Sequence, residues 1–349
     1  MKKLKLKRFG FVLLGLCLLA AGCGSDTAVT DETGAPVVDE PNVEVSYFRP
    51  LPFDAGGAYY YVAQEQGLFD AEGVTATIKT GRGGAGTATA ALISGSVEIA
   101  QGSVDSYISA ISQGAEIVAF WNFLKPGVFG IMLNTEKVPT VADLKGKTVG
   151  VIGASSSTLS VLKLMLVEAE IAIADVKVVY LGCCTAQYQA LVDGTVDAIG
   201  TWDAQVTSIV ATAAKENKDI SNLKYVQSDK FLGDILITSK DYLKNSPENL
   251  AGFMKAMTNG MSVMDTDPQL ALDIAAKNIP NMDPKDPAQR ATMDLRSATT
   301  FRDGKWDYEL LATALALYEK AGLITVDPAV IDIERLFPSV VTDMVANKS

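Results

Sequence analysis

Two similar stretches decide the fold: residues 91–100 read ALISGSVEIA, and residues 190–199 read ALVDGTVDAI. In each, a helix-compatible run ends at a glycine, and a short β-like run with an acidic residue follows. On both sides of these stretches, β-like runs alternate with single helical runs. This alternation predicts right-handed βαβ units and two similar α/β lobes, each with a mostly parallel sheet. In such sheets, ligands bind at the carboxyl ends of the strands.

The composition excludes several kinds of chemistry. The chain has 349 residues, with 41 acidic and 30 basic side chains, no histidine, four cysteines and a net charge of −11. Without histidine there is no Ser-His-Asp or Cys-His nucleophile and no histidine-ligated zinc, so we expect no catalytic residue, no metal and no cofactor. The acidic balance, with no long Lys/Arg run in the body, argues against nucleic-acid binding.

The N-terminus has the pattern of a secretory signal. Residues 1–8 carry five positive charges, and the apolar run at residues 9–21 is too short for a spanning helix, which needs roughly 20 residues. The following segment, LAAGC at residues 19–23, resembles the bacterial lipobox, whose cysteine receives a lipid and becomes the new N-terminus. We therefore expect a signal peptide at residues 1–22 and a lipidated Cys23 that anchors the protein to the extracytoplasmic face of the cell membrane.

The rest of the chain divides into a tether and two lobes. Residues 24–42 contain five acidic residues, two prolines and no basic residue, so the segment 23–42 is predicted to be a flexible, lipidated tether. The first lobe is predicted to comprise residues 43–134 together with 232–349, which include the C-terminal helices. The second lobe is predicted to comprise residues 135–231.

Four motifs carry a family resemblance: AYYYVAQEQGLFDAEGV at 58–74, ALISGSVEIA at 91–100, DLKGKTVGV at 143–151 and VDAIGTWDAQV at 196–206. In this order and behind a lipobox, they resemble the substrate-binding proteins of ABC importers, in the branch that binds sulfonates, taurine and thiamine precursors. The resemblance implies a two-lobed, type II-like periplasmic-binding-protein fold with the ligand cleft between the lobes. It also implies a small-molecule ligand, and an ABC permease with its ATPase as partners.

Candidate ligand contacts in the first lobe follow the strand ends. Tyr59 and Tyr60 open a helix, where neighbouring side chains point about 100° apart, so packing in the core is an equal alternative for both. The glycine-rich loop around Arg82 lets backbone approach a ligand but lacks the Lys-Ser/Thr ending of a phosphate-binding Walker loop. The candidates of this lobe are Phe53, Asp54, Tyr59, Tyr60, Arg82, Gly83, Ser103, Trp121 and Asn122.

The candidates of the second lobe lie at a helix start and at two strand ends. The hydroxyls at the helix start also suit N-capping. Trp202 stands where the family commonly has Trp-Asp-Pro, with Ala204 in place of the proline. The adjacent cysteines either form a disulfide, which makes a rigid apolar plate for a flat ligand, or are two buried free thiols. The candidates are Ser156, Ser157, Thr158, Cys183, Cys184, Trp202 and Asp203.

These candidates are rich in aromatic rings and poor in cations, with Arg82 the clearest cation and Arg49 nearby. Stacking with a few polar edge contacts suits a flat heterocycle, whereas a sulfonate requires cations and hydroxyls. We therefore expect a flat heteroaromatic vitamin or precursor. The resemblance implies which ones, because members of this branch bind thiamine pyrimidine precursors and others are assigned to riboflavin. Of these, riboflavin, with its larger ring, suits the aromatic candidates better and is the ligand we expect, with a thiamine pyrimidine precursor or an alkanesulfonate as alternatives.

Two interpretations from other classes compete with transport. One is an enzyme similar to the thiamine-pyrimidine synthase of the same fold, which the missing histidine and the lipobox disfavour. The other is a lipoprotein that presents ligand to a membrane sensor, which neighbouring permease and ATPase genes would distinguish from an importer component.

Overall fold

The computed structural model describes residues 41–327 and 331–347. The predicted signal peptide, Cys23 and nearly all of the predicted tether lie outside the described residues. The strands are β1 (Val43–Arg49), β2 (Val74–Thr80), β3 (Ile99–Ser103), β4 (Ile117–Asn122), β5 (Phe129–Asn134), β6 (Thr148–Val151), β7 (Lys177–Tyr180), β8 (Ala198–Trp202), β9 (Leu223–Gln227) and β10 (Asp234–Ser239).

Helices separate most of these strands and form the C-terminal part. They are α1 (Ala58–Glu65), α2 (Ala85–Ile93), α3 (Val104–Ser112), α4 (Ser157–Glu168), α5 (Thr185–Val192), α6 (Asp203–Lys215), α7 (Lys240–Asn245), α8 (Pro247–Thr266), α9 (Pro268–Asn278), α10 (Pro287–Thr299), α11 (Tyr308–Lys320), α12 (Ile333–Leu336) and α13 (Val340–Asn347). None of the described helices is long and apolar enough to cross a membrane.

The described strands form two five-stranded sheets, in the orders β2-β1-β3-β10-β4 and β7-β6-β8-β5-β9. In the first sheet β10 is antiparallel to both of its neighbours, and in the second sheet β5 is antiparallel to both of its neighbours. The other four strands of each sheet therefore run in one direction. The predicted two-lobed α/β fold with mostly parallel sheets is confirmed.

The boundary between the lobes differs from the prediction. We expected residues 43–134 in the first lobe, but β5 lies in the second sheet between β8 and β9. All six residues of β5 are buried, which identifies a strand but does not tell which sheet accepts it. Pro126 and Gly127 precede β5 and mark the actual crossing between the lobes.

The chain crosses between the lobes twice, and the two crossing segments are paired. The first joins β4 to β5, and the second joins β9 to β10. Leu124 donates its backbone N–H to the Asp234 carbonyl over 2.8 Å, and Gly127 donates to the Ser228 carbonyl over 3.1 Å. A Cβ on Gly233 would lie only 2.2 Å from the Leu124 carbonyl oxygen, so this close backbone approach requires glycine. The crossings thus form a double connection.

The C-terminal helices pack mainly on the first lobe and bring one helix to the lobe boundary. Helix α8 packs on α1, and a Cβ on Gly260 would lie 2.3 Å from the Tyr59 carbonyl oxygen. Helix α10 begins with Pro287 in its first turn, and the Asp286 carboxylate caps it by accepting from the Ala288 N–H. Helix α10 also packs on α6 of the second lobe.

Gly304 should be sensitive to substitution, because it packs on the fully buried Trp121. A Cβ there would lie 2.2 Å from Trp121 Cδ2, and its φ is +63°. Gly304→Ala should therefore lower the free energy of unfolding by about 1 kcal/mol for the backbone conformation and by a further 1–3 kcal/mol or so for overpacking. Urea unfolding measures this loss.

Gly322→Ala is the matched control for this prediction. Gly322 has nearly the same φ of +62°, but a Cβ there would meet nothing within 4 Å. Gly322→Ala should therefore lower the free energy of unfolding only by the roughly 1 kcal/mol that comes from the backbone conformation. If both variants lost the same free energy of unfolding, overpacking against Trp121 would cost nothing, and this prediction would be wrong.

Candidate functional site

A cavity of about 400 Å³ lies between the two lobes. The loop after β1 and the first turns of α10 line it from the first lobe, and the ends of β7 and β8 with α6 line it from the second. This volume is within the range of roughly 300–1,000 Å³ found for small-molecule sites. Both sheets present the ends of their strands to this space, as the parallel topology requires.

Direct contacts join the lobes near the cavity. Gly86 donates its N–H to the Ser155 carbonyl over 3.1 Å, and a Cβ on Gly84 would lie 2.9 Å from Ser156 Cα. Beyond the cavity, Ser160 Oγ donates to the Asp105 carboxylate over 2.7 Å. The glycine-rich loop therefore permits a close approach to the other lobe's backbone in this structure. The lobes are in contact, and the cleft between them is closed.

Flat apolar groups form part of the cavity wall. Cys183 and Cys184 are joined by a disulfide, which resolves the alternative that the sequence left open. Trp202, at the end of β8, and Phe53, after β1, line the same cavity. The Arg49 guanidinium also lines this cavity and lies 4.7 Å from the centre of the Phe53 ring, at the distance of a cation–π contact.

Most cations of the cavity have acidic partners. Arg49 Nη2 lies 3.4 Å from Asp54 Oδ1, and its Nη1 donates to the Pro52 carbonyl. Lys215 Nζ lies 2.6 Å from Asp286 Oδ2, and this bond lowers the pKa of the Asp286 carboxyl. Arg82 is exposed and forms no ion pair within the described residues. The cavity thus has a nearly balanced charge.

A smaller recess of about 40 Å³ adjoins the cavity and shares Arg49, Leu51 and Trp202 with it. Asp234 and Arg296 also line this recess, together with Tyr59 and Gln101.

A chain of hydrogen bonds positions Asp234 in the recess. Gln101 Nε2 donates to Asp234 Oδ2 over 2.7 Å, and Gln101 Oε1 accepts from the Tyr47 hydroxyl over 2.7 Å. Arg296 Nη2 lies 3.8 Å from Asp203 Oδ1, across the lobe boundary. The wall of the recess therefore has one carboxylate and two buried guanidinium groups.

The structure brings only part of the predicted site together. Tyr59 lines the recess, and Asp203 is buried against Arg296. Six of the other predicted residues line the main cavity: Phe53, Asp54, Arg82, Cys183, Cys184 and Trp202.

The remaining candidates line neither space, because each is used in packing or capping. Tyr60 donates to the Ala76 carbonyl inside the first lobe, and Trp121 packs on Gly304 in the core. Asn122 Nδ2 donates to the Lys305 carbonyl. Ser103 caps α3, Ser156 and Thr158 bond each other at the start of α4, Ser157 is buried there, and Gly83 lies against Thr87.

Sequence reasoning missed Arg296 and Asp234. Asp234 opens a strand whose next four residues are buried, so an acid directly before an apolar run was an available signal. Arg296 lies on a helix with few apolar residues and gave no such signal. Its burial depends on the packing of α10 against Gly56 of the first lobe and against the second lobe, and both are tertiary contacts.

Asp234→Asn should change the pH dependence of stability. Burial raises the pKa of Asp234 from 3.8 to about 6, so between roughly pH 4 and pH 6 the folded protein holds a proton that the unfolded chain releases. The free energy of unfolding contributed by this group therefore rises as the pH falls through that window. The melting temperature of the wild type minus that of Asp234→Asn should therefore increase as the pH is lowered from about 7 to about 4.5. A difference that is constant with pH would contradict the raised pKa.

The fold and site together define a class: two α/β lobes, a doubly crossed connection and a closed ligand-sized cleft are the features of a periplasmic-binding-protein fold. Residues 56–271 match the family described as NMT1/THI5 like, and the chain belongs to that family. A comparison with curated proteins gave no match.

Solved structures of other proteins share this fold. The aliphatic sulphonate binding protein SsuA of Escherichia coli has a TM-score of 0.64 at 18% identity, over 85% of this chain and 91% of that one. The alkanesulfonate-binding protein SsuA of Xanthomonas axonopodis pv. citri, solved with MOPS bound, has a TM-score of 0.63 at 16% identity, over 82% and 96% of the two chains. The desulfurization enzyme DSZB is similar as well, with a TM-score of 0.55 at 12% identity, over 87% and 99%.

Proposed function

We propose that this protein is the extracytoplasmic substrate-binding component of an ABC importer. It captures a small, flat heteroaromatic vitamin, with riboflavin as the first choice, and delivers it to a membrane permease and its ATPase. The observation that carries the proposal is the closed cavity between the lobes, with Trp202 and the Cys183–Cys184 disulfide in its wall. Ligand capture in such a cavity shifts the lobes toward the closed state, because the closed state has the higher affinity.

The shape and chemistry of the wall support a flat ligand. An aromatic ring and a disulfide both present apolar surfaces, and a planar heterocycle loses the most water-exposed area when it lies against such surfaces. A cavity of about 400 Å³ suits a three-ring ligand with a polyol chain better than the single ring of a thiamine pyrimidine precursor. Gln205, Gln289 and Thr292 line the same cavity and supply partners for the polyol hydroxyls.

The charges of the cavity support a ligand with little net charge. A sulfonate requires a cation that no acid neutralises, and Arg49 and Lys215 each lie beside a carboxylate. Arg82 is the specific observation that favours an alkanesulfonate as the second candidate, because it lines the cavity and forms no ion pair within the described residues.

In this proposal the protein binds its ligand and does not catalyse a reaction. DSZB shows that this fold also supports an enzyme, so the residues decide the class rather than the fold. The chain has no histidine, and both cysteines of the cavity are held in a disulfide, which leaves them without a thiolate nucleophile. No group of three or more His, Cys, Asp or Glu side chains in the described part of the chain has the arrangement of a metal site.

Riboflavin binding is the test of this function. Titration of the purified protein should quench both flavin and tryptophan fluorescence with one-to-one stoichiometry. Trp202→Ala should weaken binding roughly tenfold or more, since the stacking surface is lost.

Trp306→Phe is the matched control for Trp202→Ala. Trp306 packs on Phe337 with ring centroids 5.0 Å apart and lies outside the cavity, so its loss should leave the affinity unchanged. Binding of ethanesulfonate without any binding of riboflavin would favour the sulfonate alternative.

The N-terminus supplies the membrane attachment in this proposal. Cys23 follows a lipobox-like segment, whereas Cys17 lies inside the apolar run. When the full chain is expressed in bacteria with labelled palmitate, the wild type and Cys17→Ser should incorporate label and sediment with membranes. Cys23→Ser should lose the label, because it lacks the sulfur that carries the lipid. Labelling that survives in Cys23→Ser would contradict the predicted anchor.

A further inference from the structure

We infer that the recess beside Trp202 recognises a heterocycle edge that carries an N–H next to a carbonyl. The Asp234 carboxylate accepts from the ligand N–H, and the Arg296 guanidinium donates to the ligand carbonyl. This inference rests on the proposed function, since it assumes that a flat heterocycle occupies the adjoining cavity. It assigns recognition of the ligand edge to two residues on β10 and α10.

Two unpaired atoms, on two residues that line the recess, carry the inference. The Arg296 side chain is only 8% exposed, and Asp234 is 5% exposed. Arg296 Nη1 and Asp234 Oδ1 are fully buried, yet neither has a hydrogen-bond partner. A buried polar atom without a partner costs about 1–3 kcal/mol, and more when it is charged, so both atoms favour a bound group that satisfies them.

The recess is placed so that a ligand in the cavity can reach it. Trp202 lines both spaces, as do Arg49 and Leu51. A ring stacked on Trp202 therefore extends its edge toward Asp234 and Arg296. The volume of about 40 Å³ holds a small polar edge rather than a second ring. In the free protein, a space of this size can hold a water molecule, which the ligand edge would replace.

The two unpaired atoms demand different partners and so select one kind of ligand edge. Arg296 Nη1 is a donor, and the Asp234 carboxylate oxygen is an acceptor. A sulfonate has acceptors only and would leave the Asp234 oxygen without a donor, whereas an ammonium has donors only and would leave Arg296 unpaired. An imide-type edge offers both, as in the pyrimidine ring of riboflavin, where the N–H lies between two carbonyls.

The test compares riboflavin with 3-methylriboflavin, in which a methyl group replaces the hydrogen of that N–H. The wild-type protein should bind riboflavin roughly tenfold to a hundredfold more tightly, because a hydrogen bond to a charged group is lost on methylation. This comparison uses the unaltered protein, so a folding defect cannot produce the result.

Asp234→Asn then assigns the preference to its residue. Gln101 Nε2 donates to one carboxylate oxygen, so the amide oxygen of the variant takes that position and its NH₂ faces the ligand as a second donor. The variant should bind riboflavin more weakly and should no longer prefer it over 3-methylriboflavin. Asp294→Asn is the matched control, because Asp294 lies on α10 but pairs with Arg290 at the surface and lines neither the cavity nor the recess. The Asp294→Asn variant should keep the preference for riboflavin.

The outcomes separate the inference from the proposed function. Equal binding of the two flavins by the wild type would overturn the inference and leave riboflavin binding intact. If Asp234→Asn still preferred riboflavin over 3-methylriboflavin, the role of Asp234 would be wrong, and riboflavin binding would again stand. Absence of binding to either flavin would overturn the riboflavin proposal and the inference together.

Discussion

The buried contact between Arg296 and Asp203 is the interaction on which the closed state depends. Arg296 belongs to α10 of the first lobe, and Asp203 follows β8 of the second. Each charge loses its hydration when the lobes meet, and this loss costs several kcal/mol per ion unless an oppositely charged group lies close by. At 3.8 Å the pair offsets only part of that cost, and one Arg296 nitrogen and one Asp203 oxygen stay unpaired. Without a ligand, the closed arrangement therefore leaves buried charged atoms without hydrogen-bond partners and is electrostatically incomplete.

This incompleteness gives the protein a physical basis for responding to its ligand. A ligand that supplies the missing hydrogen bonds stabilises the closed arrangement more than a ligand that only buries apolar surface. The direct contacts between the lobes, such as Ser160 with Asp105 and Lys215 with Asp286, add to closure whether or not ligand is present. The Lys215–Asp286 pair is exposed on the lysine side, so it contributes less than the buried groups.

The sequence predicted the two-lobed fold because that fold depends on local signals. Glycine stops, alternating helix and strand patterns, and the repeated phrase at residues 91–100 and 190–199 all act over short distances. The same signals placed Trp202 and the two cysteines at strand ends, and they line the cavity.

The parts that the sequence did not predict depend on distant contacts. Trp121 follows the strand-end rule but lies in the core, because Gly304, far along the chain, packs against its ring. The Ser103 hydroxyl is taken up by the capping box of α3, and the Ser156 hydroxyl donates to the Gly153 carbonyl in the loop before α4. Arg296 reaches the site through the packing of α10 on Gly56 of the first lobe and on α6 of the second, and no local pattern encodes those contacts. The assignment of β5 to the second sheet likewise depends on strand pairing over a long sequence separation.

The paired crossings between the lobes restrict how the cleft can open. Backbone hydrogen bonds hold the two segments side by side, and Gly233 lies against the Leu124 carbonyl, so neither segment can slide past the other. Two adjacent, paired connections of this kind restrict a relative motion of the lobes to rotation about an axis near both segments. A rotation about that axis changes the separation between the walls that carry Phe53 and Trp202, so the width of the cavity is the dimension that the connection controls.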